Sequence, residues 1–209
     1  MAGAGRNADG PVRVYLELGA TSAFAVALDW PGWCRRAKTP DAAVEALDAY
    51  RGRYADAVGG TAPRGPLEVI GTLQGNRTTD FGAPDARGPW DDPPPTGAEL
   101  RRQSRLLEDA WDFLDRVVAV APEELRKGPR GGGRDRDAVV AHVIEAERAY
   151  CAKVGSRVPP RTPWAEQRAV VVAALGSGAA GGTWPVGYAL RRLAWHVLDH
   201  AWEIEDKSE

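Results

Sequence analysis

Residues 194–206 read AWHVLDHAWEIED and hold two of the chain's three histidines, His196 and His200, four apart. On an α-helix each residue turns the chain by about 100° and lifts it about 1.5 Å, so the second imidazole lies about 40° round from the first and about 6 Å along. Two ring nitrogens so placed can meet one ion at about 2.0–2.1 Å. The spacing also arises by chance, and then each histidine is an ordinary part-buried helix residue bonded to a neighbour. Pro185 opens the helix that carries the pair. Around it, Arg192, Asp199, Glu203 and Asp206 fall on one side of the histidines and Leu193, Val197 and Ile204 on the other, so the pair borders an apolar face.

Upstream of this helix the periodicity stays helical back to about residue 97. Thr96 and Glu99 have capping-box spacing, and Leu100, Leu107, Trp111, Leu114 and Val118 form one stripe ending near Pro122. A second helix follows Asp135, with Val139, Val143, Ala146 and Tyr150 on one face; Thr162 and Pro163 open a third. Residues 97–206 therefore read as a four-helix bundle with long, glycine-rich connections. The runs GPRGGGRDRD (128–137) and GSGAAGG (176–182) follow no strand and lack the GK[ST] ending, so they read as connectors rather than phosphate cradles.

The first third of the chain alternates instead. VRVYLEL (12–18) and AFAVALD (23–29) read as antiparallel strands with one buried face, joined by a hairpin at Gly19–Ser22. Pro31 and Gly32 end the second, WCRRAK supplies a third, and Thr39 followed by Pro40 caps a helix running to about residue 58. LEVIGTL (67–73) restores a strand. The expectation is an α+β chain: a small β-β-β-α-β domain over 12–74, a proline-rich linker or surface-wrapping segment over 75–96, and the bundle over 97–206.

Totals narrow the function. Over 209 residues, 27 basic and 29 acidic side chains leave a net charge of −2, so no global field draws in nucleic acid or anionic lipid. Neither a secretory leader nor a membrane span is legible, and Cys34 and Cys151 form no CxxC, so a cytoplasmic, reduced protein is expected.

The third histidine, His142 in VVAHVIEAE, falls on the second bundle helix beside its apolar stripe. Three ligands from two helices at an apolar–polar boundary suit a site that keeps a position open for water or substrate. With these positions in view, residues 97–206 resemble the DinB-like metal-binding bundles, which include thiol-dependent transferases and metal-dependent hydrolases. The resemblance implies that His142, His196 and His200 bind one divalent ion, zinc first, with nickel, iron or manganese also suited. The ion would activate water or a thiol on a small-molecule substrate. The N-terminal pieces AVALDWPGWC and KTPDAAVEALDAY resemble the HicB-like antitoxin fold, which implies an accessory domain able to dock a protein partner. The competing reading is a non-enzymatic metal-binding or interaction module. A homo-oligomer is compatible with either.

Among lesser candidates, Glu145 lies three residues after His142, near enough to orient a ligand, supply a fourth one or act as a base. Glu203 lies three after His200 and could hold that ring. Cys151 is half a helical circumference and about 13 Å from His142, too far to share the ion. Cys34 reads as a core residue. Trp195 and Trp202, seven apart, read as a seam against the sheet domain or else a subunit interface, while Trp164 and Trp184 stand near helix starts.

Overall fold

The computed structural model describes residues 10–60, 63–128, 132–179 and 181–208. Residues 1–9, 61–62, 129–131, 180 and 209 lie outside these, and with them parts of both glycine-rich runs.

β1 (Val12–Leu18) and β2 (Ala23–Ala27) form the expected antiparallel hairpin, with Glu17 opposite Phe24. β3 (Cys34–Ala37) adds to β2, and β4 (Leu67–Gln74) returns parallel to β1, giving the order β3-β2-β1-β4. The parallel return needs a crossover, supplied by α1 (Pro40–Ala49) and α2 (Arg51–Ala57). Thr39 caps α1 as its sequence promised, its hydroxyl accepting from Ala42 N–H. The single helix expected to residue 58 is broken at Tyr50. The ring of Tyr50 packs edge-on to Trp202, with Arg35 stacked 3.8 Å above it.

The sheet differs from expectation in having both faces covered. Val12, Val14, Ala25 and Ala27 face α1 and the main core; Tyr15, Phe24, Val26 and Cys34 form a second cluster with Trp195. β2 is therefore buried along its whole length.

Residues 75–96 wrap the second face. They form α3 (Arg77–Phe81) and a 3₁₀ turn at Pro89–Asp91, fastened by two buried carboxylates. Glu17 accepts from Thr79 Oγ1 (2.5 Å) and from the backbone N–H groups of Asp85 and Ala86. Asp91 pairs with buried Arg191 and accepts from Gly88 N–H. Trp90 lies against Tyr15, ring centroids 5.1 Å apart.

The bundle consists of α4 (Gly97–Val120), α5 (Arg136–Lys153), α6 (Trp164–Gly176) and α7 (Val186–Ser208). The capping box expected at α4 does not form: Thr96 makes no side-chain cap bond, and the Glu99 carboxylate accepts from Arg102 and Gln103 instead. Nor does Thr162 open α6, which begins at Trp164. α7 is buried at every residue from Val186 to Leu198, enclosed by sheet and bundle together. One continuous apolar cluster runs from Val14 and Leu47 through Leu107 to Leu193 and Leu198. No helix among the described residues is long and apolar enough to cross a membrane.

Candidate metal centre

α5 contributes His142 and α7 contributes His196 and His200. Their ring centroids lie 5.2 Å (142–196), 4.9 Å (142–200) and 4.7 Å (196–200) apart. One ring nitrogen from each lies within 4.8 Å of the others, so the three could hold one metal ion. Tetrahedral zinc with Zn–N bonds of about 2.0–2.1 Å places its ligand atoms about 3.3 Å apart.

His196 is buried, whereas His142 and His200 are partly exposed. Burial, reinforced by the neighbouring charge of His200, holds the pKa of His196 well below the usual imidazole value. His142 is lowered by burial first, then by His200 and Arg134. Both rings are thus neutral near pH 7, the form that can coordinate.

Glu203 holds the third ring. Its Oε2 accepts from His200 Nδ1–H at 2.7 Å, while Oε1 takes Lys207. The bond from His200, aided by Lys207, outweighs burial and brings the carboxyl pKa down to about 2. An ionised carboxylate on Nδ1–H fixes the tautomer, leaving the Nε2 lone pair for a metal.

The other candidates do different work. Glu145 turns outward to Arg148 and neither ligates nor orients a histidine. Cys151 is buried against Glu147, its thiol pushed up to about 12 by burial, and Cys34 is likewise raised within the second core cluster. Trp195 and Trp202 do form the seam, against Phe24 and Tyr50 respectively. Trp164 donates to Glu147, and Trp184 packs on Tyr150.

Sequence named Tyr150, Trp184 and Arg192 only as helix-face or helix-start residues and placed none of them at the metal centre. The Tyr150 ring stands 5.7 Å from that of His196, Trp184 bridges Tyr150 and Tyr188, and Arg192 lies one turn before His196. Extending the four-residue step of the histidine pair backwards reaches both Arg192 and Tyr188. Helical spacing from His142 reaches Tyr150.

Comparison with known proteins adds no assignment: no family model matches the chain, and none of the curated proteins or solved structures compared with it matches either.

Proposed function

We propose that this chain is a divalent-metal-dependent enzyme of the DinB-like kind, a hydrolase or thiol transferase, with zinc held by His142, His196 and His200. The observation carrying this reading is the convergence of three imidazoles from two helices within 4.8 Å, one of them fixed by Glu203. When bound, such an ion supplies Lewis acidity, bringing coordinated water to a pKa of about 7 or holding a thiol as thiolate.

The chain's own residues supply the rest. Burial keeps His196 neutral, Glu203 aims His200, and the part-exposed flank at His142 and His200 leaves a direction of approach for a substrate. Neither cysteine serves as nucleophile, since both thiols are buried and raised in pKa. In a thiol transfer the thiol therefore comes with a substrate. An open flank favours an enzyme over a purely structural site, which closes around its ion.

Protein purified without chelator or affinity-column metal, analysed for metal and then titrated with Zn²⁺, is expected to bind one equivalent. A chain that takes up none of Zn²⁺, Ni²⁺ or Mn²⁺ contradicts the reading. Glu203→Gln is expected to weaken zinc binding about 10- to 100-fold without unfolding the chain, as loss of a ligand's orienting partner does. An unchanged affinity, measured against a chromophoric chelator, would remove Glu203 from the centre.

A further inference from the structure

His200, Glu203 and Lys207 follow one another along α7 at steps of three and four residues, which keeps them within about 60° of one another around the helix. They form a line of bonds. Lys207 Nζ donates to Glu203 Oε1 at 2.5 Å, and Glu203 Oε2 accepts from His200 Nδ1–H at 2.7 Å, so each carboxylate oxygen has one partner. The three side chains are 13 %, 27 % and 26 % exposed in that order, so the line leaves the histidine cluster without standing free in solvent.

A lysine four residues after a glutamate is common on helix surfaces and usually contributes little. Here the glutamate is committed, through its other oxygen, to a ring of the metal centre. Carboxylates close by are taken: Glu205 and Asp206 bind Arg53, and Asp135 binds Lys127, which leaves Lys207 to Glu203. The backbone that carries the ammonium is held as well. Arg126 N–H donates to the Lys207 carbonyl at 2.9 Å, Arg126 Nη2 to that of Asp206 at 2.7 Å, and Ser208 Oγ to that of Ile204 at 2.7 Å. The connector before α5 borders the far side, where a Cβ on Gly133 would stand 3.7 Å from Lys207 Nζ.

We propose that Lys207 is a positioning residue of the metal centre: by holding Glu203 Oε1 it keeps the carboxylate in one orientation, so that Oε2 fixes the His200 tautomer that offers Nε2 to the ion. The inference rests on the metal reading above and extends it to a residue that touches no ligand. With Oε1 released, the carboxylate turns about its terminal torsion, a broad two-fold rotor, and the Nδ1–H bond loses its fixed acceptor. His200 then divides between tautomers, and only the Nδ1–H form leaves Nε2 free to coordinate. A direct field effect of the ammonium on the ion has the opposite sign, since removing one cation favours the binding of another nearby.

Zinc titrations of the full chain against a chromophoric chelator test this, with folding of each variant verified by near-ultraviolet circular dichroism. Lys207→Met is expected to weaken zinc binding about three- to tenfold, short of the loss caused by removing a direct orienting partner. Lys207→Arg, which keeps the charge and the donors, should retain most of the affinity. In a Glu203→Ala background Lys207→Met should cause no further loss, because no carboxylate remains to be held. An equal loss in both backgrounds shows that Lys207 acts on α7 as a whole and overturns the proposal, as does unchanged or tighter binding by Lys207→Met. If the chain takes up no zinc, the metal reading fails separately. The positioning role is then read on metal-free protein from the His200 ring nitrogens by nuclear magnetic resonance at about pH 9, above the ordinary imidazole range. A predominant Nδ1–H tautomer in wild type that becomes mixed in Lys207→Met supports it, and the same tautomer ratio in both overturns it.

Discussion

Glu147 is a carboxylate enclosed by three helices. Oε2 accepts from Trp111 Nε1 of α4, and Oε1 from Trp164 Nε1 and Gln167 Nε2 of α6. Burial raises its pKa above the usual glutamate value even though all three donors favour the ion. A carboxyl raised on folding stabilises the protein fully below its unfolded pKa, and that contribution fades as pH rises through the folded pKa. In urea unfolding of metal-free protein, the stability of wild type minus that of Glu147→Gln should therefore fall as pH increases from about 4.3 upward. A difference that grows with pH would show that the carboxylate form is the one favoured by folding. Glu147 was illegible in the sequence because its partners are remote, and a glutamate beside an apolar stripe defaults to solvent. The histidines were legible because their chemistry is distinctive and their spacing local. Spacing alone has limits, however: Glu145 and Glu203 each follow a histidine by three residues, yet Arg148 captures the first while the second holds His200.

α7 shows that local chemistry marks helix starts more readily than it shows what covers each face. Pro185 and Thr39–Pro40 marked helix starts through local chemistry, and the β1–β2 hairpin followed from alternation across a short turn. Which side of α7 meets solvent depends on what packs there, so Arg191 and Arg192, polar in sequence, are buried against the sheet and its wrapping segment. A close approach to α7 is at Gly32, where φ is +93° and an added Cβ would stand 2.6 Å from Leu198 Cδ1. Gly32→Ala should destabilise the protein by at least about 1–2 kcal/mol, the cost of a left-handed alanine before any steric displacement. Chemical denaturation measures this, and a change under a few tenths of a kcal/mol would contradict the seam geometry.

Sheet and bundle share one apolar cluster, and the 75–96 segment is tied to both through Glu17 and Asp91. Proline-rich composition suggested that segment's surface path but carried no sign of these two carboxylate anchors, whose partners lie far off in sequence. Exposing α7 would uncover Trp195, Leu198 and Trp202 together, so the chain should unfold as one unit. Far-ultraviolet circular dichroism and tryptophan fluorescence are expected to give coincident denaturation curves; two separated transitions would show that the sheet and the bundle stand alone.

The same enclosure brings His142 to the α7 pair, and on that convergence the functional reading depends. Zinc titrations of wild type and of His142→Ala, His196→Ala and His200→Ala, each checked for folding, put it to the test. A single cross-helix centre requires all three variants to lose binding to a similar degree, because the three donors serve one ion. If His142→Ala binds zinc like wild type while the other two do not, the ion sits on α7 alone and the three-histidine centre is wrong.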